Sequence, residues 1–322
     1  MKKISIYCTV GPSSLNKNFL EFSKKNKIDL LRLNLSHLSI KNLVKNIKFI
    51  KKFCNIPICI DTEGAQIRTI SRFNKFFKKQ EIGTINKSEK KGFSFYPDNI
   101  FEKIRVGDIF KIGFKGLEIK IIKKNKLNFD FKAISDGLLE NNKGVHLKNR
   151  KIKIDYLTNK DFKAIEISKK YNIKYFALSF TNSKNDIKNF SILLPIQKKI
   201  YKIETKKAFK NFKELVKHGE NFLIDRGDLS QEISIDKVPW AQRKIIKIAK
   251  KYKNKNVYVA TNLLETMIEN LYPTRAESND IFSTLEMGAS GLVLAAETAI
   301  GKYPQECIKF IKKTIWNYKN LK

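Results

Sequence analysis

The sequence is poor in cysteine and has no long apolar segment. Its four cysteines, Cys8, Cys54, Cys59 and Cys307, form no CxxC pair and show no spacing typical of a metal site or a disulfide framework. No run approaches the roughly 20 apolar residues of a membrane-spanning helix. The N-terminal segment MKKISIYCTV has no small-residue cleavage site of a signal peptide. We therefore expect free thiols in a reducing, cytoplasmic setting, with no membrane association.

Acidic residues are also scarce, and arginine is scarcer still. The 322 residues include 65 lysines and arginines against 31 acidic residues, a net charge of +34, and only eight of the basic residues are arginines. A basic surface attracts phosphate backbones, but here the lysines are scattered through every segment without a compact tract. We therefore expect no specific nucleic-acid binding. The arginines are more informative, because their two-pronged donor suits phosphate and carboxylate recognition; Arg32, Arg68, Arg226 and Arg275 all lie in chemically rich stretches.

Eight short apolar runs have the character of β-strands, and most are separated by segments of helical periodicity. The runs are Ile4–Val10, Asp29–Leu35, Ile56–Ile60, Tyr175–Phe180, Lys199–Ile203, Asn221–Ile224, Asn256–Ala260 and Gly291–Leu294. The helical segments include Asn16–Lys25, Ile40–Phe53, Lys160–Tyr171, Lys206–Lys217 and Val238–Tyr252. Strands that alternate with helices predict parallel βα units. Eight such units predict a closed (β/α)8 TIM barrel.

One segment interrupts the alternation. Between Ile70 and about His146 no long helix is expected, and short alternating pieces with glycine punctuation occur, as in IRVGDIFKIGFKGLEIKI. The sequence therefore predicts a small β domain, residues 71–146, inserted after the third strand of a barrel formed by residues 1–70 and 147–322. Removing the roughly 75 inserted residues leaves about the 250 that are usual for such a barrel.

The segment from Ile200 to Asp228 carries the most concentrated chemistry. It is predicted to form a strand ending at Glu204, a helix, and a second strand ending at Asp228. Residues two apart on a strand point the same way, so Lys202 and Glu204 share one face, and a parallel neighbour would bring Asp228 beside them. Two carboxylates suit a hard divalent cation such as Mg²⁺. A structural ion pair at the strand end is the alternative.

The predicted strand ends carry a mixture of polar residues. Barrel enzymes build their active sites at the carboxyl ends of the strands. In this chain the predicted strand ends carry, in order, Thr9; Arg32 with Asn34 and Ser36; Asp61 with Thr62; Ser179; Lys202 with Glu204; Asp228; Thr261; and Glu297. One polar residue at such a position is commonly a turn former, but so many of them predict a functional site.

A family resemblance rests on a series of short motifs. In chain order they are CTVGPSS, RLNLSH, DTEGAQIRT, DGLLENNKGVHL, YLTNKDFKAIE, ALSF, YKIE, DRGDLSQEI, VATNLLETM, PTRAESND and AAETAIGKYP. With these motifs the chain resembles the pyruvate kinase family over nearly its full length, and VATNLLETM followed by PTRAE is the most specific part. The resemblance implies transfer of a phosphoryl group from phosphoenolpyruvate to ADP in glycolysis, giving pyruvate and ATP.

The resemblance also implies roles for individual residues. Glu204 and Asp228 would hold Mg²⁺ or Mn²⁺. Lys202 would neutralise charge on the phosphoryl group in flight, since this transfer depends on positioning and electrostatics. Arg32 would clamp the phosphate of phosphoenolpyruvate.

Further implied roles concern the enolate, a monovalent cation and the nucleotide. Backbone amides around Gly227–Asp228, with Thr261, would receive the pyruvate-forming end, and Thr261 would also serve the proton relay. K⁺ would be held by Asn34, Ser36, Asp61 and Thr62. The nucleotide would be contacted by Asn34, His37, Arg68 and Lys143. A hydrogen-bonded loop histidine is the alternative for His37.

Several residues depart from the family pattern. Glu63 stands where lysine is usual, and Gln66 stands where the family has a glutamate linked to the use of K⁺. Ala295–Ala296 replaces a Ser-Gly pair near the implied proton relay. The insert looks shortened, with Phe114–Lys115 where an acidic pair is expected, and we expect a lid that closes less tightly.

The chain stops at Lys322, where the barrel is predicted to end. We therefore expect the regulatory C-terminal domain of the family to be absent, and sugar-phosphate control with it; a homo-oligomer is left open. Because of the residues that depart from the family pattern, two alternatives to the kinase stay open. One is a Mg²⁺-dependent lyase or aldolase acting on a 2-oxo acid, and the other is a non-catalytic descendant that binds a metabolite.

Overall fold

The chain divides into two compact units. A computed structural model describes residues 3–88, 92–113 and 116–320. The barrel unit comprises Met1–Gly64 and Asn159–Lys322, and the β unit comprises Ala65–Thr158. The β unit is wider than the segment 71–146 because strands at 67–70 and 144–147 pair with each other inside it. The Phe114–Lys115 pair lies outside the described residues.

The strands fall into three groups along the chain. Three precede the β unit: β1 (Ser5–Thr9), β2 (Leu30–Asn34) and β3 (Ile58–Asp61). The described residues of the β unit form β4 (Ile67–Ile70), β5 (Lys75–Phe77), β6 (Ile82–Asn86), β7 (Ser94–Tyr96), β8 (Ile109–Ile112), β9 (Leu117–Lys124), β10 (Asn128–Ala133), β11 (Gly137–Leu139) and β12 (Gly144–Leu147). Five follow: β13 (Tyr175–Leu178), β14 (Lys198–Ile203), β15 (Asn221–Asp225), β16 (Asn256–Ala260) and β17 (Gly291–Leu294).

Eight parallel strands close into a barrel, in the order β1-β17-β16-β15-β14-β13-β3-β2. The predicted TIM barrel is thereby confirmed. Strands covered by helices outside and by a core inside are buried on both faces. All four residues of β3 and of β17 are buried, which explains why the sequence shows continuous apolar runs at these strands.

Helices connect the barrel strands. They are α1 (Lys17–Lys25), α2 (Ile40–Phe53), α3 (Asn159–Lys170), α4 (Lys184–Leu193), α5 (Lys206–His218), α6 (Arg226–Glu232), α7 (Val238–Ala249), α8 (Arg275–Glu286), α9 (Ala296–Ala299) and α10 (Pro304–Asn320). Ser183 and Thr274 form capping boxes with Asp186 and Glu277 at the starts of α4 and α8, a device that stabilises a helix N-terminus. No helix in the described part of the chain is long and apolar enough to span a membrane.

The barrel interior is a packed core. Tyr7, Leu30, Ile200, Leu223 and Tyr258 are among the side chains that meet there. The rings of Tyr7 and Tyr258 lie with their centroids 4.7 Å apart. Because side chains fill the interior, as is general for this fold, the polar chemistry is confined to the ends of the strands.

The β unit has its own phenylalanine-rich core. Its main sheet has seven strands in the order β6-β10-β9-β8-β12-β4-β7, and β11 pairs with β5 in a second sheet. Strand β10 alternates, with Phe129, Phe131 and Ala133 buried. The Phe131 ring contacts those of Phe77 and Phe93, with centroids 5.3 and 6.0 Å away. The antiparallel strands thus bury one face against a common core.

One predicted strand boundary is wrong. The strand of the DRGD motif is predicted from the sequence to end at Asp228, whereas β15 ends at Asp225. The last register pair of β15 and β16 joins Asp225 to Ala260, and the chain then turns into the helix α6, where Asp228 lies in the first turn. The carboxylate at the strand end is therefore that of Asp225.

Replacing Phe131 with alanine should destabilise the β unit by about 3–5 kcal/mol, because it removes a ring that is 1% exposed and leaves a cavity. Urea-induced unfolding followed by circular dichroism measures the change. Phe76 in β5 is 57% exposed, so Phe76→Ala is the matched control and should cost no more than about 0.5 kcal/mol. Equal losses for the two variants would contradict this description of the core.

Candidate active site

Lys202 lies at the centre of a buried ionic cluster at the carboxyl ends of the barrel strands. Its side chain is 5% exposed. The ammonium nitrogen lies 2.7 Å from Glu204 Oε1, 3.3 Å from Asp61 Oδ2 and 3.4 Å from Asp225 Oδ2. It also donates a hydrogen bond of 3.2 Å to Ser179 Oγ. Four neighbouring strands therefore deliver oxygen atoms to one nitrogen.

The two ends of the Lys202–Glu204 pair have different electrostatic surroundings. Burial alone would lower the pKa of the Lys202 ammonium, but the attraction of Asp61, Glu204 and Asp225 outweighs burial and raises this pKa. Burial raises the pKa of Glu204 to about 8, although Lys202 opposes the rise. The carboxylates of Asp225 and Asp228 add to it. Lys202 is thus held charged, while Glu204 lacks sufficient positive charge around it.

Three carboxylates form a group suited to a cation. Oxygen atoms of Glu204, Asp225 and Asp228 lie within 4.8 Å of one another. Glu204 Oε2 accepts a hydrogen bond of 2.6 Å from the Phe180 amide, which fixes the orientation of the carboxylate. Oxygen donors of this kind suit hard divalent cations.

The cluster carries more negative than positive charge. Asp61 adds a fourth carboxylate to the group, whereas Arg32 and Lys202 supply two cations. A buried excess of negative charge is costly unless a cation compensates it. With all four carboxylates ionised the excess is two negative charges, which one divalent cation would neutralise, so the residues present fit such an ion.

Strand β2 delivers Arg32 to the same cluster. Its Nη1 lies 2.9 Å from Asp61 Oδ2, and its Nε donates a hydrogen bond of 2.9 Å to Thr9 Oγ1. The Thr9 hydroxyl donates in turn to the Leu294 carbonyl at 2.8 Å. These contacts fix the guanidinium plane while using two of its five N–H donors. The geometry is that of a group prepared to bind an anion.

Thr261 is held in a strained conformation just after β16. Its φ is +67° and that of Asn262 is +53°, although β-branched residues rarely adopt positive φ. Arg226 donates two hydrogen bonds to the Thr261 carbonyl oxygen, at 3.0 and 2.6 Å. The Thr261 hydroxyl accepts from the Gly227 amide at 2.8 Å, and its one hydrogen is shared between two acceptors, Asp225 Oδ1 at 3.2 Å and the Ala260 carbonyl at 2.5 Å. Strain of this kind concentrates at functional sites.

The residues predicted to hold K⁺ lie at the ends of two adjacent strands, β2 and β3, or directly after them. Asn34 and Asp61 are register partners on β2 and β3. Asn34 Oδ1 accepts a hydrogen bond of 3.0 Å from the Ser36 amide. Thr62 Oγ1 accepts one of 3.0 Å from the Ser179 amide. The predicted oxygen donors are therefore neighbours, and each already has a protein partner.

The departure at Glu63 is compensated within the barrel unit. Its carboxylate pairs with the Lys160 ammonium at 2.6 Å. The amides of Glu63 and Gly64 donate to the two carboxylate oxygens of Asp161, at 2.7 and 3.0 Å. Gly64 has a φ of +67°, and a Cβ there would lie 2.8 Å from Ser179. The start of α3 therefore fixes this loop, and only glycine fits at its tightest point.

The other predicted nucleotide contacts fall in both units. In the barrel unit, His37 is an exposed residue at the end of a 3₁₀ turn that follows β2. In the β unit, Arg68 lies on β4 and Lys143 precedes β12, and these two strands pair in antiparallel fashion. Gln66 is buried in the β unit, beside Gly144.

Strand β17 leads into α9. Ala295 directly precedes this helix, and Ala296 is its first residue. Glu297 is 2% exposed, and burial raises its pKa. The Thr298 hydroxyl donates a hydrogen bond of 2.9 Å to the Thr9 carbonyl, which links α9 to β1. Glu297 is thus at the end of the barrel where the sequence predicted it.

Asp225 contacts the cluster but was not among the site residues predicted from the sequence. It is 5% exposed. Burial alone would raise its pKa, but the nearby Lys202 and Arg32 side chains lower the pKa below its ordinary value. The signal was present, because Asp225 is the first polar residue after the apolar run Asn221–Ile224. The strand end and the metal ligand were instead predicted at Asp228, the second acidic residue of the DRGD motif.

Two cavities lie at the opposite end of the barrel. One of about 710 Å³ is lined by Lys24, Lys51 and Lys174, and one of about 660 Å³ by Tyr7, Tyr258 and their neighbours. Neither contains a predicted site residue. These cavities adjoin the amino ends of the strands, where barrel residues generally contribute to stability.

The chain matches known proteins over nearly all of its length. A family model described as "Pyruvate kinase, barrel domain" matches residues 1–308. The pyruvate kinase of Thermotoga maritima is 32% identical over 97% of this chain and 70% of its own length. That of Methanocaldococcus jannaschii is 31% identical over 97% and 69%. That of Borreliella burgdorferi is 32% identical over 88% and 61%.

Asp228→Asn should weaken the binding of Mn²⁺ by at least about tenfold, because it removes one carboxylate from the acidic group. Isothermal titration calorimetry measures the affinity directly. Asp236→Asn removes an equal charge at an exposed position of the barrel unit and should leave binding unchanged. Equal binding by Asp228→Asn and the control would remove Asp228 from the site.

Binding of Mn²⁺ should weaken as the pH falls below about 8, the value to which burial raises the pKa of Glu204. A raised pKa means that the carboxyl takes up its proton near neutral pH, and the protonated form does not bind a cation. Titrations at a series of pH values measure the effect. In Glu204→Gln the residual binding should be weaker and independent of pH over this range, and an unchanged pH dependence would refute the assignment.

Proposed function

The chain belongs to the pyruvate kinase family and is therefore a phosphotransferase, and we propose that it transfers the phosphoryl group of phosphoenolpyruvate to ADP, giving pyruvate and ATP in glycolysis. The observation that carries this proposal is the buried Lys202 ammonium beside the acidic group that includes Glu204 and Asp228. Phosphoryl transfer needs positive charge fixed around the phosphate more than it needs covalent chemistry.

Glu204 and Asp228 are the proposed ligands of Mg²⁺ or Mn²⁺. The bound ion would supply charge neutralisation and orientation to the phosphate oxygens. The raised pKa of Glu204 supports this assignment, because a carboxylate short of positive charge gains most from a cation.

Lys202 and Arg32 are proposed to bind the phosphoryl group. The Lys202 ammonium is held by carboxylates from three strands, so it needs little reorganisation when negative charge develops on the phosphoryl oxygens. Arg32 has donors beyond those bonded to Thr9 and Asp61, and these suit two phosphate oxygens at once.

Thr261 is proposed to deliver the proton that the enolate of pyruvate takes up at C3. The Gly227 amide and the two bonds from Arg226 hold the threonine in one conformation. We also propose that backbone amides around Gly227–Asp228 receive the carboxylate of the product. The proton given to carbon returns to Thr261 from solvent.

The remaining assignments concern K⁺ and ADP. We propose that K⁺ is held by Asn34, Ser36, Asp61 and Thr62. We propose that ADP is contacted by Asn34, His37, Arg68 and Lys143. Small molecules are thus the proposed partners. The four cysteines are free and buried, in keeping with a reducing, cytoplasmic location.

Pyruvate formation from phosphoenolpyruvate and ADP in the presence of Mg²⁺, with and without K⁺, tests the proposal. Lys202→Met should lower the rate by on the order of a hundredfold or more, because it removes a fixed positive charge from the transition state. Lys207→Met makes the same change at an exposed position on α5 and should leave the rate unchanged.

The outcomes separate the candidate functions. Activity that requires ADP and is lost in Lys202→Met supports the kinase. Pyruvate formed without ADP would favour the lyase or aldolase, and a folded but inactive protein would favour the metabolite-binding descendant. A requirement for K⁺ would show that Gln66 does not abolish the use of this ion.

A further inference from the structure

Asp225 has no role in the mechanism so far, yet it contacts two of the groups that act in it. We propose that Asp225 is a positioning residue that holds Lys202 and Thr261 in a fixed relation, one through each oxygen of its carboxylate. This inference rests on the proposed function, because those two groups serve phosphoryl transfer and enolate protonation there.

The contacts of Asp225 are divided between the two groups. Oδ2 lies 3.4 Å from the Lys202 ammonium, and Oδ1 accepts the hydrogen bond of 3.2 Å from the Thr261 hydroxyl. Lys202 is on β14 and Thr261 follows β16, so Asp225 at the end of β15 lies between them. One rigid carboxylate therefore joins two strands that are not adjacent.

Burying the Asp225 carboxylate costs free energy unless its contacts compensate for the lost hydration. Asp225 is 5% exposed, and a buried carboxylate must be paired and hydrogen-bonded to remain charged. As the residue that precedes α6, it makes no side-chain capping bond to that helix. Its side-chain contacts to Lys202 and Thr261 are thus with proposed reactive groups.

The neighbours of Asp225 brace the arrangement from the other side. Arg226 holds the Thr261 carbonyl with two bonds and pairs with Asp280 at 2.6 Å. The backbone of Thr261 is therefore fixed by Arg226, and its hydroxyl contacts Asp225, the Gly227 amide and the Ala260 carbonyl. Two consecutive residues thus control two parts of one strained threonine.

Lys202 has three carboxylate partners, which pull it in different directions. Asp61 lies at the end of β3 and Glu204 directly follows β14, whereas Asp225 lies at the end of β15. Without the Asp225 charge, the ammonium moves toward the other two carboxylates. Small displacements of a catalytic group, of about 1 Å, lower rates by on the order of a hundredfold.

Asp225→Asn separates the two contacts. Asparagine keeps an oxygen that accepts from Thr261, but it loses the charge that attracts Lys202. The kcat of ADP-dependent pyruvate formation should fall about tenfold or more, within the range for misplaced groups. The KM for phosphoenolpyruvate should not rise, because a negative charge near an anionic substrate is removed. Exchange of the pyruvate methyl protons with deuterium from solvent, followed by NMR, should change by less than threefold.

Asp225→Ala removes both contacts. Both pyruvate formation and methyl-proton exchange should then fall, because the Thr261 hydroxyl loses its bond to Asp225 and turns toward its other acceptor, the Ala260 carbonyl. If asparagine and alanine slow the exchange equally, the hydroxyl does not depend on Asp225 and the proposal fails. Asp29→Asn is the matched control, since Asp29 lies before β2 at the opposite end of the strands, and it should leave both activities unchanged.

Two measurements without turnover complete the test. Calorimetric Mn²⁺ binding should change less than threefold in Asp225→Asn, and a loss beyond tenfold would make Asp225 a metal ligand and overturn the positioning role. A crystal structure of Asp225→Asn should show the ammonium displaced toward Glu204 and Asp61; an unmoved ammonium would equally refute it. A wild-type protein without kinase activity would count against the proposed function, while this structural comparison still decides the positioning.

Discussion

A single ammonium group buried among carboxylates is the constraint on which this end of the barrel depends. Lys202 is surrounded by Asp61, Glu204 and Asp225 at 2.7–3.4 Å, and these residues come from three strands. Removing one charged partner from a buried cluster leaves another uncompensated, which commonly costs several kcal/mol. The strand register and the apolar core beneath it must therefore bring Lys202 and all three carboxylates together. The fold and the site thus constrain each other.

Arginine is used where lysine is unsuitable. Most basic residues are lysines at scattered positions, yet Arg32 bonds to Thr9 and Asp61 at once, and Arg226 holds Thr261 and Asp280. Each contact needs a planar group with several directed donors, which an ammonium cannot supply. The scarcity of arginine in this chain thus makes each of these two positions informative.

The barrel could be predicted from the sequence, because buried parallel strands appear as apolar runs that alternate with amphipathic helices. The period of two along a strand also predicted that Lys202 and Glu204 share one face, and their side chains form an ion pair. The end of β15 was misplaced, because apolar runs do not specify where pairing stops, and DRGD offers two carboxylates three residues apart. Nor did the sequence reveal that Lys160 would neutralise Glu63, since these residues lie 97 positions apart and only the fold brings them together.

The distribution of charge separates two tasks. The chain as a whole has a net charge of +34, and a field of that sign attracts anions such as phosphoenolpyruvate and ADP from a distance, although salt limits its reach to about 10 Å. The buried cluster has the opposite sign when its carboxylates are ionised, because four of them face two cations there. An anionic substrate would be repelled by that cluster unless a divalent cation entered as well. The positive net charge therefore attracts anionic substrates, whereas the negative charge of the buried cluster repels them. The need for a divalent cation follows from the negative charge of the cluster.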